Sequence, residues 1–273
     1  MPAFPRRMCC TLLLTLAGLG CSNARPVNPS FAVTMAEARQ AMREMAAAPR
    51  PLARPLVIVG GYLDPNVSPT YLKHQIHKVS GDERIIGVMV GFHDSFDECR
   101  RAVIDAVDRA FPGDDPLWTS EVDVIGVSLG GLVARYAAAE SRDADHPRRL
   151  RIARLFTISS PHQGAALANF AALNELHRDM VSGSPFMLYL GGCDAAAAYE
   201  LYPYARLRDH LVGEELASPP GHTPIWLAPP PLEGGHGGAW RDHRIIADIA
   251  RRLRGESPFS TEPRAPLPCQ RGG

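Results

Sequence analysis

The stretch over residues 122–136 constrains the fold of this chain more than any other. It reads Val-Asp-Val-Ile-Gly-Val-Ser-Leu-Gly-Gly-Leu-Val-Ala-Arg-Tyr, a β-branched run, a tight turn and then a small-residue helical pattern. In the turn, Gly126 and Gly130 lack the Cβ atoms that would clash around a serine held in a strained backbone conformation. The order of strand, turn and helix therefore predicts a nucleophile, Ser128, exposed at the carboxyl end of a buried strand.

Short apolar runs alternate with helical patterns along the rest of the chain. Residues 56–59 (Leu-Val-Ile-Val) are a continuous apolar run, which is typical of a strand buried on both faces, and residues 155–158 (Leu-Phe-Thr-Ile) are predicted to form a later strand. After Ser95, apolar residues follow the i, i+3, i+4 spacing of an amphipathic helix through about Phe111. The alternation predicts an α/β fold, with a mostly parallel central sheet and helices on both faces.

Together with the Gly-x-Ser-x-Gly turn, two further regions of the sequence resemble a known family. Residues 155–164 read Leu-Phe-Thr-Ile-Ser-Ser-Pro-His-Gln-Gly, and acid and histidine loops follow near the end of the chain. From about Leu56 to Leu253 the chain resembles lipases and esterases of the α/β-hydrolase family. The resemblance implies the α/β-hydrolase fold. It also implies that His162, in the Ser-Pro-His-x-Gly segment, is structural and not part of the catalytic triad.

A serine hydroxyl needs a neighbouring imidazole to take its proton and a carboxylate to orient that imidazole. In this fold the order along the chain is serine, acid, histidine. Asp209 is the predicted acid, because the Asp-x-x-Val pattern with Val212 is similar to the turn that carries the lipase acid. Asp194 and Asp179 are the alternatives.

His236 is the predicted general base. It follows the last apolar run (residues 224–228) in a loop, and the glycines on either side would let the backbone turn freely. His243 falls at the start of the closing helix, while His222 precedes the strand and His210 adjoins the acid, so these three fit the topology less well.

The oxyanion hole is expected to use two backbone amides. One is that of Leu129, which follows the nucleophile. The resemblance to the lipases places the other at Tyr62, by position in the loop after the first strand. Gly60 stands in that loop where the family has a histidine.

Composition excludes several classes of function. The chain has 273 residues, 45% of them apolar and 21% charged, which suits a globular α/β domain. With 29 basic and 29 acidic residues it has no net field favouring nucleic acid. No Cys/His spacing resembles a zinc site, and triad chemistry requires neither a metal nor an organic cofactor.

Residues 1–24 have the pattern of an export signal. Arg6 and Arg7 precede an apolar stretch from Met8 to Leu19. The sequence around Cys21 resembles a bacterial lipobox, so Cys21 is expected to be lipidated and the protein to be a membrane-anchored lipoprotein of the periplasm or cell surface. Simple secretion, with cleavage near Ala24, is the alternative.

Three cysteines then remain, which permits one disulfide at most. They are Cys99, Cys193 and Cys269, and the sequence does not choose among them. Cys99 falls on the apolar face of its helix and is expected to be a buried small hydrophobe.

The remaining boundaries are as follows. Residues 25–55 are predicted to hold a polar tether and an N-terminal helix, which a Thr34–Glu37 capping box opens. That helix packs on the sheet or is a solvated linker. The hydrolase domain spans 56–256, with a small cap or an ordinary covering helix within 165–190. The proline-rich stretch 257–273 is predicted to be disordered.

These features predict a serine ester hydrolase of the lipase or carboxylesterase type that forms an acyl-enzyme. The resemblance favours small-molecule or lipid esters with a greasy acyl chain, and hence a role in lipid metabolism. Thioesterases and acyltransferases use the same triad. A non-catalytic binding protein on a hydrolase scaffold is the alternative from another class.

Overall fold

A parallel six-stranded sheet forms the centre of the protein. The computed structural model describes residues 26–165, 174–193 and 197–268. The strands lie in the order β2-β1-β3-β4-β5-β6, and every neighbouring pair is parallel. They are β1 (Leu56–Val59), β2 (Ile85–Val88), β3 (Val122–Val127), β4 (Ile152–Ile158), β5 (Glu200–Arg206) and β6 (Ile225–Leu227). Because all strands run in one direction, the loops after them meet at a single edge of the sheet.

Helices cover both faces of this sheet. They are α1 (Met35–Ala47), α2 (Val67–Ser80), α3 (Phe96–Ala110), α4 (Leu129–Ala138), α5 (Glu175–Asp179), α6 (Pro185–Cys193), α7 (Gly235–Ala239) and α8 (His243–Leu253). A short 3₁₀ turn occupies Glu214–Leu216. The predicted alternation of strands and helices is therefore present.

Side chains of β1 alternate between two hydrophobic clusters. Leu56 and Ile58 of β1 are buried in the cluster that contains α1, α2 and α8. Val57 and Val59 are buried in a second cluster, with α3, α4 and α6. A strand that lies between two such clusters must be apolar at every position. The continuous apolar run of residues 56–59 therefore predicted β1 correctly. The predicted α/β fold, with helices on both faces of a parallel sheet, is confirmed.

Helix α1 begins with the capping box that the sequence predicted. Thr34 Oγ1 accepts a hydrogen bond from the Glu37 amide at 3.2 Å, and a Glu37 carboxylate oxygen accepts one from the Thr34 amide at 2.8 Å. Ala38 and Met42 are buried in the cluster with α8. Helix α1 therefore packs onto the covered sheet and is not a solvated linker.

The segment before α1 is docked on the domain. Asn28 Nδ2 donates a hydrogen bond to the carbonyl of Trp226 at 2.7 Å. The Phe31 ring is 4% exposed and lies 6.4 Å from the ring of Tyr204. The polar tether predicted before α1 thus ends by Asn28, because the Phe31 ring is buried in the core.

The C-terminal segment is also docked. The amide and hydroxyl of Ser260 both donate to the buried carboxylate of Asp248, each at 2.7 Å. Trp226 Nε1 donates to the carbonyl of Ala265 at 2.8 Å. The disorder predicted for 257–273 is therefore wrong for 257–268, because a buried carboxylate requires donors and this segment supplies them. Residues 269–273 lie outside the described part of the chain.

The region predicted to form a cap is described from residue 174 onward. Its helices α5 and α6 place Leu176, Phe186 and Leu190 in the same cluster as α3 and α4. The Phe186 ring stacks on Phe96 with the ring centroids 4.0 Å apart. This part behaves as a covering layer, and a lid over the site stays a prediction, since residues 166–173 lie outside the described ranges.

Cys99 is fully buried on α3, as predicted, and burial raises the pKa of its thiol to about 12. Cys99 and Cys193 are both free thiols, so they do not form a bridge with each other. Cys21 and Cys269 lie outside the described residues. Within residues 26–165, 174–193 and 197–268, no helix has both the length and the apolar character needed to cross a membrane.

Candidate active site

Ser128 lies at the sharp turn between β3 and α4. Its backbone has φ 51° and ψ −120°, which is outside the regions that residues with a Cβ normally adopt. Its amide donates to the carbonyl of Ile158 at 2.9 Å, which ties the turn to the end of the neighbouring strand β4. The turn therefore holds the Ser128 side chain at the carboxyl edge of the sheet, where the sequence placed it.

The two glycines of the turn are required by close packing. A Cβ added to Gly130 would lie 2.6 Å from the carbonyl oxygen of Gly60, and one added to Gly126 would lie 2.6 Å from the amide nitrogen of Gly131. Real Cβ atoms do not approach other atoms so closely. The predicted reason for both glycines is confirmed.

The structure brings Ser128, His236 and Asp209 into one hydrogen-bonded chain. The Ser128 hydroxyl lies 3.1 Å from His236 Nε2, and His236 Nδ1 lies 2.9 Å from an Asp209 carboxylate oxygen. Because the carboxylate can only accept, Nδ1 carries the proton and Nε2 is free to accept from the hydroxyl. Three residues separated by up to 108 positions thus meet in the order and tautomer that base catalysis requires.

Asp209 is held as a carboxylate by its surroundings. It is 3% exposed, and its second oxygen accepts from the amides of Leu211 and Val212 at 3.1 and 3.0 Å. Burial alone would raise the pKa of Asp209. The hydrogen bond and charge of His236 and the two amides outweigh burial, so the pKa of this carboxyl lies below its ordinary value.

The glycines around His236 act differently from the sequence prediction. His236 lies in the first turn of the short helix α7, and none of the neighbouring glycines has a positive φ. A Cβ on Gly235 would lie 2.5 Å from the carbonyl oxygen of Arg208, next to Asp209. Gly235 therefore lets the segment that carries His236 approach the turn that carries Asp209. The prediction that these glycines are needed for backbone freedom is wrong.

Arg206 was missed by the sequence reasoning. Its side chain is fully buried at the end of β5, where Nη2 donates to Glu233 at 2.9 Å and Nε lies 3.7 Å from Asp242. Glu233 and Asp242 flank α7 on either side, and a Cβ on Gly238 would collide with the guanidinium. Arg206 thus fixes the segment that carries His236. The available signal was an arginine at the end of a predicted strand.

Residues of the first loop line a pocket beside Ser128. The pocket has a volume of about 170 Å³ and is lined by Gly61, Tyr62, Asp64, Val127, Ser128, Ile158, Ser159, His236, Gly237, Ala239 and Trp240. A Cβ on Gly61 would lie 3.4 Å from that of Ser128, so this backbone runs directly beside the nucleophile. Leu129 is the first residue of α4, and amides in the first turn of a helix have no partner within it.

The alternatives considered for the acid and base lie elsewhere. Asp179 ends α5, and Asp194 lies outside the described residues. His243 is the first residue of α8, as predicted. His162 is buried. Its Nδ1 accepts from Arg135 at 3.0 Å, and its Nε2 lies 2.7 Å from Thr157 Oγ1.

His162 therefore has both ring nitrogens engaged in a structural network. Burial, together with the charge of Arg135, lowers the pKa of His162 well below its ordinary value and keeps the ring neutral. In the described part of the chain, no group of three or more His, Cys, Asp or Glu side chains is arranged to hold a metal ion.

Comparison with known proteins agrees with this geometry. The family described as "Putative serine esterase (DUF676)" matches residues 97–188, which include the Ser128 turn. This is an α/β-hydrolase-fold protein that resembles serine esterases. The resemblance predicted from the sequence is thereby confirmed, and the hydrolase fold places its serine, acid and histidine loops at one sheet edge.

Solved structures with a similar chain course include two from bacteria. A lipase from Bacillus licheniformis, BlEst2, is 16% identical with a TM-score of 0.47, and the match covers 73% of this chain and 89% of the lipase. The lin2722 product of Listeria innocua is 14% identical with a TM-score of 0.49, covering 75% of this chain and 95% of that one. No curated protein matches the sequence.

The lowered pKa values of two buried carboxyls, those of Asp82 and Asp209, predict how the stability of the protein depends on pH. Hydrogen bonds from Arg84 lower the pKa of Asp82, and Asp209 is lowered as described, both relative to an ordinary 3.8. A carboxyl whose pKa is lower in the folded than in the unfolded protein contributes its full stabilisation at pH values above its pKa in the unfolded chain. This stabilisation is lost as the pH falls through the pKa of the folded protein. The urea midpoint is expected to fall between pH 5 and pH 3.

The Asp82→Asn variant is the control, because it removes one of the two titrating groups. Its midpoint should be lower than that of the wild type at pH 7 and should change less between pH 5 and pH 3. A wild-type midpoint that stays constant or rises as pH is lowered over this interval would contradict the assignment.

Proposed function

We propose that the protein is a serine hydrolase that cleaves carboxylic esters through an acyl-enzyme on Ser128. The observation that supports this most directly is the chain of hydrogen bonds from Ser128 through His236 to Asp209, at 3.1 and 2.9 Å. This arrangement has the components of a nucleophile, a general base and a group that orients the base.

In the first half-reaction the Ser128 oxygen attacks the ester carbonyl carbon while His236 Nε2 takes the hydroxyl proton. The ester C–O bond then breaks, and the same proton passes to the departing alcohol. In the second half-reaction water attacks the acyl carbon, His236 takes a proton from it, and the bond to Ser128 breaks as the serine regains that proton. Asp209 stabilises the imidazolium in both halves.

We assign the oxyanion hole to the amides of Leu129 and Tyr62. The position of Leu129 as the first residue of α4 and the closeness of the Gly61 backbone to Ser128 support this assignment. Removal of one such donor in a serine hydrolase costs about 2.7–4 kcal/mol of transition-state stabilisation. The Tyr62 ring packs against His177 with the ring centroids 4.6 Å apart, which holds this loop in place.

The substrate proposed is an ester with an apolar acyl group, of the kind that lipases and carboxylesterases cleave. Side chains of Val127, Ile158 and Trp240 in the pocket lining support an apolar acyl group. Export and lipid anchoring through Cys21 remain part of the proposal and rest on the pattern of residues 1–24. A membrane-anchored enzyme of this kind would act on esters outside the cytosol.

Labelling with a fluorophosphonate probe followed by peptide mapping tests the proposal. We expect one adduct, on the peptide that contains Ser128, because the probe reacts with serines that an imidazole activates. The His236→Ala variant is expected to label far more slowly. Absence of any adduct would favour a non-catalytic binding protein on this scaffold, and an adduct on another serine would show that Ser128 is not the nucleophile.

A further inference from the structure

Ser159 directly follows strand β4 and has an unfavourable backbone conformation. Its φ is 49°, a value that favours glycine, and its amide donates to the carbonyl of Tyr204 at 2.9 Å. A non-glycine residue held with positive φ beside a reactive centre points to a role for its side chain.

The hydroxyl of Ser159 is buried without a protein partner. The residue is 2% exposed, and its Oγ makes no hydrogen bond to any group within the described residues. The adjacent Ser160 differs, because its Oγ lies 3.5 Å from the carbonyl oxygen of Gly126. A buried hydroxyl is costly unless it is hydrogen-bonded, so the partner of Ser159 has to come from what occupies the space beside it.

That space is the pocket that Ser128 and His236 also line. A volume of about 170 Å³ is large enough for a reacting group and a water molecule. The hydroxyl of Ser159 and the imidazole of His236 can therefore both reach a small polar molecule held next to Ser128.

The strand order decides which side of Ser128 this molecule occupies. Strands β1 and β4 lie on opposite sides of β3. The loop after β1, with Gly61 and Tyr62, and Ser159 after β4 therefore flank Ser128 from opposite sides. The β4 side is also the side of β5 and β6, from which Asp209 and His236 approach. Proton transfer with His236 occurs there.

We propose that Ser159 positions the water that hydrolyses the acyl-enzyme. This inference rests on the proposed esterase function. The Ser159 hydroxyl holds the water oxygen near the acyl carbon, the oxygen attacks that carbon, and His236 Nε2 takes one proton of the water. When the bond between the acyl group and Ser128 breaks, that proton passes to the serine oxygen, so that acid and free enzyme are formed.

Rapid mixing with a p-nitrophenyl ester separates the two half-reactions. For Ser159→Ala, we expect the rate of the initial p-nitrophenol burst to change less than about 3-fold, while steady-state turnover falls about 10-fold, as for the loss of one hydrogen bond to the nucleophile. The acyl-enzyme should then accumulate, seen by intact mass as an acyl adduct on the protein.

Two further variants separate this role from a structural one. Ser159→Gly also removes the hydroxyl but suits the positive φ, so it should fold well and show the same selective loss of deacylation. Ser160→Ala should keep the wild-type ratio of burst to turnover.

The proposal is overturned if Ser159→Gly retains wild-type turnover, or if it loses acylation and deacylation equally. These outcomes leave the esterase function intact when the wild-type enzyme turns the ester over. If the wild-type protein forms no acyl adduct on Ser128 and releases no p-nitrophenol, both proposals are wrong.

Discussion

Replacing Ser128 by alanine is expected to lower kcat for ester hydrolysis by on the order of 10⁵-fold or more, as in other triad enzymes. The hydroxyl oxygen is the atom that forms the acyl-enzyme, and no other described hydroxyl is hydrogen-bonded to His236. Water would have to attack the ester directly, helped only by the oxyanion hole and by binding. Turnover of p-nitrophenyl butyrate, measured with protein free of wild-type contamination, would test this.

Because the residues of a triad act as a unit, the effects of removing them do not add. The double variant Ser128→Ala/His236→Ala should be about as slow as Ser128→Ala alone. Circular dichroism and the urea midpoint would show that each variant is folded. A Ser128→Ala enzyme with more than a tenth of wild-type kcat would rule out this serine as the nucleophile.

Replacing Asp209 by asparagine is expected to reduce kcat by about 10³–10⁴-fold. The asparagine amide would donate where the carboxylate accepts, so His236 would adopt the tautomer in which Nδ1 accepts and Nε2 carries the proton. That tautomer cannot accept the proton of Ser128. The two amides of Leu211 and Val212 would still bond to the side-chain oxygen, so the turn should keep its conformation.

Raising the pH should not restore the wild-type kcat to Asp209→Asn. The reason is that His236 keeps the wrong tautomer at high pH. Asp179→Asn serves as the matched control, since Asp179 was an alternative acid and lies in α5. Loss of activity in Asp179→Asn with retention in Asp209→Asn would reverse the assignment of the acid.

Features set by local patterns could be predicted from the sequence. The continuous apolar run of β1 identified a strand buried on both faces, and glycine spacing identified the turn at Ser128. The likeness of the Asp-x-x-Val pattern to the lipase acid turn indicated Asp209, and the position after the last apolar run indicated His236. In each case the physical requirement is local, or follows from parallel strands whose carboxyl ends share one edge.

Features set by contacts between distant residues were not predicted. Asn28 bonds to Trp226 across 198 positions of sequence, and Ser260 bonds to Asp248, so the docked ends depend on partners that no local pattern reveals. The buried Arg206 and the unpartnered hydroxyl of Ser159 belong to the same class. Periodicity describes which face of an element is apolar, but it does not specify which polar groups meet inside the fold.

The early docking of Asn28 limits how far an anchored enzyme could extend from its membrane. With lipid on Cys21, the six residues 22–27 would join the anchor to the first contact of the domain at Asn28, a reach of at most about 25 Å when fully extended. The enzyme would thus sample esters near its own bilayer and little beyond it.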